Sequence, residues 1–356
     1  MTKRKDDDKF IKPPRKFRLI DTNLPFIDDY NLESNNKEEE IKQYIIITKK
    51  VNTIKDLIEL GKEYDNNKLY NIDMKVLNKL VEPLTKLDNM IGMDKIKDDI
   101  VDHILFFIQK LEIRNYDMMH TVIQGPPGTG KTEVAKIIGR IYLAMGFLKN
   151  DTFIKATRST LIGQYLGQTA HATQKTINSA VGGVLFIDEV YSLGNPEKRD
   201  SYSKECIDTI NENLTDKKTE FICIIAGYKE DIDKCFFSVN KGLERRFPIR
   251  FTIDKYEAKD LYLIFKKKVH DVEWMLDESV TETFFIDKYN DFPNFGGDME
   301  NLFSKCKKAH ARRIFGTTEV SKLITLADMI KGHKTLTMHM KCQVDAKDEM
   351  WKEMFL

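Results

Sequence analysis

The segment GPPGTGKT, residues 125–132, constrains the fold more than any other part of this sequence. It follows the short apolar run HTVIQ and precedes TEVAKIIGRIYLAMG, in which apolar residues recur at helical spacing. A glycine-rich turn between a strand and a helix can curl so that successive backbone N–H groups face a phosphate. The segment therefore predicts a nucleotide phosphate site at the start of a helix.

Individual positions in this segment have expected roles. Lys131 is predicted to reach the β- and γ-phosphates, and the Thr132 hydroxyl is predicted to ligate Mg²⁺. ATP and Mg²⁺ are therefore the expected cofactors. The other positions predicted to surround the nucleotide are Gly125, Pro126, Pro127, Gly128, Thr129, Gly130 and Glu133.

A second motif, GVLFIDE, is a continuous apolar run that ends in Asp188 and Glu189. Alone, two acids after a strand are at least as consistent with a solvated strand end. Beside a phosphate-binding turn, Asp188 is predicted to hold Mg²⁺ and Glu189 to orient water at the γ-phosphate. Because nucleotide binding needs only the first acid, the second indicates hydrolysis.

Apolar strands alternate with helical segments through the middle of the chain. The expected strands are HTVIQ, TFIKAT, GVLFIDE, EFICIIAGY and PIRFTI. This alternation predicts an α/β fold, with a parallel P-loop NTPase sheet sandwiched by helices. From Asp254 onward the pattern changes to helices only, which predicts a small all-helical second domain, called here the lid. The expected divisions are a disordered extension (1–37), a helical lead-in (38–80), the nucleotide-binding domain (81–253), the lid (254–340) and a tail (341–356).

Composition limits the partners. The 57 Lys and Arg residues nearly balance the 56 Asp and Glu residues, so no overall electrostatic field attracts nucleic acid. No apolar run is long enough to span a bilayer, so we expect no membrane partner. The five cysteines form no metal-ligand or disulfide pattern. We expect an intracellular, reducing compartment, either the cytoplasm or, for a viral protein, a viral factory or virion.

With both motifs in place, the chain resembles the AAA+ ATPases over about residues 80–337. Within them it is similar to the group of the red-type Rubisco activase CbbX and the sporulation protein SpoVK, to which cassettes of large DNA viruses are also similar. The segments that carry the resemblance are MIGMDKIK, GPPGTGKT, LIGQYLGQTA, GGVLFIDEVYSL, IIAGYKEDID and NKGLERRFPIRFTI.

The resemblance implies a homo-oligomer, a hexameric ring, with further functional positions. Arg246 matches the arginine finger, which acts on a neighbour's nucleotide, and Arg245 beside it is a second candidate. Tyr228 occupies the sensor-1 position. Tyr165 would lie at the tip of a pore loop that grips a protein client. The alternative for Tyr165 is local packing under its own loop.

One part of the lid departs from the family pattern. The lid helix usually begins with an arginine called sensor 2, but here Gly297 and Asp298 stand at or near that position, and Glu300 stands where a second arginine is usual. Two explanations remain open. Either the hinge and a neighbouring subunit couple the lid to the nucleotide, or a lysine on a later turn compensates, namely Lys305, Lys307 or Lys308.

Three functions fit this sequence. The first is an ATPase ring that remodels or threads a protein client through its pore. The second is a nucleic-acid motor or loader, which the uncharged loop GQYLGQT disfavours because such pores use cations to hold phosphates. The third is a nucleotide-gated assembly scaffold with little turnover, which the presence of Asp188, Glu189 and Arg246 disfavours. The sequence does not specify the client.

Overall fold

The computed structural model describes residues 43–111, 118–163, 165, 167–194, 200–217, 220–240, 242–316 and 321–339. All of them belong to one compact unit, Gln43–Leu356. The expected disordered extension (1–37) and the tail (341–356) lie outside the described residues.

The lead-in combines two helices with a short strand pair. Strand β1 (Gln43–Ile45) pairs in parallel with β2 (Lys68–Tyr70). Helices α1 (Ile54–Lys62) and α2 (Met74–Asp88) bury their apolar faces in the same core as the main sheet. The segment 38–80 is therefore not purely helical, and α2 runs across the boundary that the sequence suggests between residues 80 and 81.

Five parallel strands form the central sheet, in the order β4-β5-β6-β3-β7. Each predicted strand is present, and the α/β fold class is confirmed. The strands β5 and β6 are buried along their whole length, as expected for strands covered on both faces. The five strands are β3 (Thr121–Gln124), β4 (Phe153–Ala156), β5 (Val184–Ile187), β6 (Ile222–Gly227) and β7 (Ile249–Thr252).

Successive strand residues enter two different cores. Along β5, Leu185 belongs to one buried cluster and Phe186 to the other, because neighbouring side chains in a strand point to opposite faces. Helices α3 (Asp94–Ile108) and α4 (Lys131–Ala144) pack on the Phe186 face. The Leu185 face is covered by α6 (Thr169–Ser179) and α7 (Ser201–Asp216), and short turns form α5 (Arg158–Leu161) and α8 (Lys229–Asp231).

The lid is mainly helical, as expected, but it also contains a two-stranded parallel pair, β8 (Met275–Leu276) with β9 (Leu323–Ile324). Among the described helices, none combines the length and apolar character that spanning a lipid bilayer requires. The lid helices are α9 (Ala258–His270), α10 (Glu282–Asp287), α11 (Gly296–Arg313) and α12 (326–339).

Candidate nucleotide site

The phosphate-binding turn leaves β3 at Gln124 and enters α4 at Lys131. Gly128 and Gly130 have φ angles of 66° and 86°, in the left-handed region that favours glycine. These two glycines let the backbone turn tightly enough to present the N-terminus of α4 to a cavity. A helix N-terminus carries unpaired N–H groups and partial positive charge, which suit an anion.

A cavity of about 240 Å³ lies at this helix end and brings together most of the predicted site residues. Gly125 and Pro126 line an adjoining cavity of about 800 Å³, which shares Pro127 and Tyr228 with the first. The predicted residues around the smaller cavity, called here the phosphate cavity, are Pro127, Gly128, Thr129, Gly130, Lys131, Thr132, Glu133, Asp188, Glu189 and Tyr228.

Lys131 folds back over its own loop. Its Nζ donates to the carbonyl oxygens of Gly125 at 3.0 Å and Pro126 at 2.6 Å. The same atom lies 5.4 Å from the centre of the Tyr228 ring, within cation–π range. Burial lowers the pKa of Lys131, while the negative charges of Asp188 and Glu189 oppose that shift. A phosphate would offer this ammonium charged acceptors in place of neutral carbonyls.

Asp188 follows β5 directly, and its carboxylate meets two groups. Thr132 Oγ1 donates to Asp188 Oδ2 over 3.3 Å, and Lys155 Nζ lies 2.9 Å from the same oxygen. A hydroxyl and a carboxylate this close are the oxygen donors that Mg²⁺ takes in nucleotide sites. The ammonium of Lys155 shows that the position attracts a cation. The donor set therefore fits Mg²⁺.

Sequence reasoning missed Lys155. Its strand, β4, pairs in parallel with β5, and Lys155 stands opposite Phe186 in that register. Parallel neighbours end at the same edge of a sheet, so a lysine one residue before the end of β4 can reach the acid after β5. Only the order of the strands indicates that Lys155 lies near Asp188, and the sequence alone does not give that order.

Glu189 has a left-handed backbone, with φ 49° and ψ 46°. Its N–H donates to Asp188 Oδ1 at 3.2 Å, and its side chain is exposed at the cavity. A non-glycine residue in this region costs about 1–3 kcal/mol, and such strain concentrates at functional sites. The chain therefore adopts an unfavourable backbone conformation at Glu189, two residues after the end of β5.

Tyr191 is a second residue that sequence reasoning missed. It lines the phosphate cavity, and its ring lies 5.7 Å from that of Tyr228. The contact depends on Gly227, because a Cβ there would meet Tyr191 Cδ1 at 2.9 Å. Burial, followed by the nearby charge of Glu189, raises the pKa of Tyr191 to about 12. The two tyrosines form an aromatic wall beside the acids.

Arg246 lies elsewhere. Its Nε donates to Thr215 Oγ1 at the end of α7, and its Nη1 donates to the carbonyl oxygen of Gly242, both at 2.7 Å. Arg245 beside it is exposed. Neither arginine lines the phosphate cavity of its own chain.

Tyr165 lies in the segment between α5 and α6 and is 68% exposed. Gly167 has a φ of 80°, and a Cβ on Gly163 would approach Gln168 Cβ to 2.6 Å. Both glycines therefore shape a turn that other residues would strain. An exposure of 68% is that of a side chain in contact with solvent rather than one packed under its loop.

The lid lysines at the expected positions do not reach the phosphate cavity. Glu300 pairs with Lys268 at 3.2 Å, and Lys307 Nζ lies 4.7 Å from the centre of the Phe303 ring. Of Lys305, Lys307 and Lys308, none lines the phosphate cavity or the adjoining one. The start of α11, where Gly297 and Asp298 lie, reaches the phosphate-binding turn through its backbone instead.

A family model and several known proteins are similar in sequence to this chain. A family model described as "ATPase family associated with various cellular activities (AAA)" matches residues 121–255. The cfxQ-like protein R730 of Acanthamoeba polyphaga mimivirus is 45% identical over 294 residues, covering 80% of this chain and 72% of the relative. Stage V sporulation protein K of Bacillus subtilis (strain 168) is 37% identical over 243 residues, covering 64% and 74%. The chloroplastic cbbX homolog of Guillardia theta is 33% identical over 246 residues, 66% of each chain.

A solved structure, the FIGL-1 AAA domain in complex with ADP, matches with a TM-score of 0.50 and 19% identity, covering 70% of this chain and 83% of that one. At this identity the likeness concerns the fold alone. The mimivirus relative carries the family assignment, since it shares nearly half its residues over most of both chains. The chain therefore belongs to the AAA ATPase family, in the group that includes CbbX and SpoVK.

Proposed function

We propose that this AAA ATPase hydrolyses Mg·ATP in a hexameric ring and uses that energy to thread a protein client through a central pore. The observation that carries the proposal is the exposed aromatic side chain of Tyr165 on a glycine-bounded turn. The phosphate cavity supplies the chemistry, and the position of Arg246 supports the ring.

The residues of the cavity divide the chemistry between them. Lys131 holds the β- and γ-phosphates, and Thr132 with Asp188 holds the metal. Mg²⁺ bound there neutralises charge on the phosphate oxygens. Glu189 orients the attacking water, because its carboxylate stands exposed at the cavity beside the metal ligand. Tyr228 packs over Lys131 at the sensor-1 position.

The position of Arg246 supports ring assembly. A finger residue must reach the γ-phosphate, yet this side chain is held at Thr215 and Gly242, away from its own cavity. A head-to-tail interface brings such a residue to the site of the next subunit, and an interface of that kind forms a ring when its rotation closes. The hydrogen bonds of Arg246 orient its guanidinium at the surface.

Tyr165 provides the grip on the client. An exposed aromatic ring contacts any extended peptide through apolar and stacking surface, without a sequence requirement. The turn presents no cation for a phosphate backbone among its described residues, which favours a polypeptide over nucleic acid.

The test uses fluorescein-labelled casein as an unfolded probe. We expect the Glu189→Gln protein in ATP to retain casein, because ATP stays bound while turnover stops. Adding Tyr165→Ala in the same background is expected to abolish retention, whereas Tyr165→Phe preserves it because the ring face makes the contact. Fluorescence anisotropy measures binding, and ATP-dependent assembly is followed by sedimentation velocity.

Two results would overturn the proposal. One is equal retention of casein by the Glu189→Gln protein with and without Tyr165→Ala. The other is a monomer in ATP at micromolar concentration. Retention of a labelled single-stranded oligonucleotide instead of casein would identify the nucleic-acid motor. ATP-dependent assembly with neither ligand retained would identify the scaffold.

A further inference from the structure

The lid touches the phosphate-binding turn directly, backbone to backbone. At the start of α11, the N–H of Gly296 donates to the carbonyl oxygen of Gly128 at 3.0 Å. The approach is so close that a Cβ on Gly128 would lie 1.8 Å from the carbonyl oxygen of Asn294. A Cβ on Gly296 would lie 2.8 Å from Gly128 O. Only glycine at both positions allows this contact.

A second hydrogen bond joins the same two parts. Tyr256, just before α9, donates its hydroxyl proton to the carbonyl oxygen of Thr129 at 3.1 Å. Burial raises the pKa of Tyr256 to about 12, so the hydroxyl remains a donor at neutral pH. These two bonds, Gly296 to Gly128 and Tyr256 to Thr129, form a clasp between the lid and the phosphate-binding turn.

The lid side of the clasp is built to hold its shape. The Asp298 carboxylate, 1% exposed, accepts the backbone N–H of Asn294 at 2.7 Å. Phe295 between them has φ 43° and ψ −111°, an unfavourable backbone, and its ring packs edge-on 6.0 Å from that of Tyr256. A strained turn fixed by a buried carboxylate is a positioned structure rather than a loose connection.

The clasp holds the carbonyl groups of Gly128 and Thr129, and the direction of a carbonyl group fixes the direction of the N–H group that follows it. In a trans peptide unit the C=O of one residue and the N–H of the next point in opposite directions. Tying Gly128 O and Thr129 O to the lid therefore turns the N–H groups of Thr129 and Gly130 away from the lid. The residues that line the phosphate cavity all lie outside the lid, so this orientation suits a phosphate bound there.

We propose that Gly296 and Tyr256 are positioning residues, which couple the lid to the nucleotide through the carbonyls of the phosphate-binding turn where the family uses a sensor-2 arginine. When the lid is seated, the turn is preorganised for phosphate. When the lid moves, the N–H groups of Thr129 and Gly130 lose their fixed orientation. The inference rests on the proposed function only in requiring that this cavity binds nucleotide.

The test compares two neighbouring glycines. Gly296→Ala places a methyl group against Gly128 O, whereas Gly297→Ala is the matched control, because a Cβ there has Asn294 Cβ as its nearest neighbour at 3.9 Å. Losing one hydrogen bond of ordinary strength corresponds to about five- to tenfold. We expect Gly296→Ala to weaken binding of fluorescent ADP by about that factor, while Gly297→Ala stays within about twofold of the parent.

A gentler pair of variants keeps the test informative if Gly296→Ala fails to fold. Tyr256→Phe removes only the hydroxyl, and its control is Tyr64→Phe, whose hydroxyl donates to Asn66 in the lead-in. We expect Tyr256→Phe to weaken ADP binding by about fivefold and Tyr64→Phe to leave it unchanged. Hydrogen exchange of the peptide containing Thr129 and Gly130 should also quicken in this variant without nucleotide.

Three outcomes are distinguishable. Weaker ADP binding confined to the Gly296 and Tyr256 variants supports the clasp. Affinities equal to those of the two controls, with parent-like hydrogen exchange, would refute it while leaving the nucleotide site intact. A parent protein that binds no ADP would refute the proposed function itself.

Discussion

Glu189 combines an exposed carboxylate with a left-handed backbone at the mouth of the phosphate cavity. Glu189→Gln preserves the size of the side chain and leaves Lys131, Thr132 and Asp188 in place. We expect ATP to bind with parental affinity while turnover falls by about a hundredfold or more, because the group that orients and deprotonates water is lost. Isothermal titration with ATP and a phosphate-release assay measure the two effects separately.

Glu59→Gln is the control for that change, since Glu59 lies on α1 outside the phosphate cavity and forms an exposed pair with Lys49 at 3.3 Å. This variant should retain most of the turnover. Parental phosphate release by the Glu189→Gln protein would show that another group activates the water.

At the scale of single residues, the sequence predicted what depends on local chain geometry. Lys131 and Thr132 could be placed because a glycine-rich turn before a helix positions its own residues. Lys155 and Tyr191 could not, because their role comes from neighbours brought together by the sheet. Lys155 meets Asp188 across a strand pair, and Tyr191 meets Tyr228 only where Gly227 leaves space.

At the scale of elements, His120 joins two parts of the fold at the start of β3. Its Nδ1 accepts the N–H of Cys223 on β6 at 3.0 Å, so Nε2 carries the proton and donates to the carbonyl oxygen of Leu214 on α7 at 3.3 Å. Burial lowers the pKa of His120 from 6.5 to about 4. The hydrogen bond from Cys223 requires the neutral ring, because a protonated Nδ1 can no longer accept, whereas Nε2 can donate to Leu214 in either form.

This pKa shift predicts how stability depends on pH. Between pH 6.5 and about 4 the unfolded chain binds a proton at His120 that the folded chain does not, so stability falls as pH falls through that window. Above it the residue contributes no pH dependence. The shift corresponds to about 3 kcal/mol of lost stability by pH 4. Urea unfolding at several pH values measures it.

His120→Gln can replace both hydrogen bonds without titrating. We expect this variant to be less stable than the parent at pH 7.5 but to lose less stability on acidification. The control is His171→Gln on α6, where the side chain is exposed. If the His120→Gln and parent proteins show the same slope of stability against pH, His120 is not the titrating group.

Strands of four or more residues could be predicted from the sequence, whereas shorter strands could not. Five mainly apolar segments predicted all five strands of the main sheet, which are four to six residues long. The pairs β1–β2 and β8–β9 were not predicted, because strands of two or three residues show no alternation, and their partners are distant in sequence. The clasp was also invisible, since both of its hydrogen bonds join residues that are at least 127 positions apart in the sequence.

At the scale of the whole molecule, Arg246 lies away from the phosphate cavity of its own chain. The phosphate cavity contains Lys131, Asp188 and Glu189, while Arg246 is held at Thr215 and Gly242. On the proposed function, a complete site needs the cavity of one subunit and the finger of another. This division can be tested by mixing two defective proteins.

The mixing experiment pairs Arg246→Ala with Lys131→Ala. Alone, the first is expected to bind ATP but to lose about a thousandfold or more in turnover, and the second to bind ATP poorly. In an equal mixture, an Arg246→Ala cavity can receive the finger of a Lys131→Ala neighbour. Roughly a quarter of the interfaces in a randomly mixed ring would pair an intact cavity with an intact finger. Phosphate release should return accordingly.

Two controls decide how the mixture is interpreted. Arg245→Ala removes the exposed neighbour of Arg246 and should retain most of the turnover, because the hydrogen bonds to Thr215 and Gly242 that orient a guanidinium belong to Arg246. Differently tagged subunits must be recovered together, so that mixed rings are known to form. If they form and no phosphate release returns, Arg246 does not act across an interface. Recovery that rises with the fraction of mixed interfaces requires a finger donated by the neighbour, because neither variant alone contains a working pair.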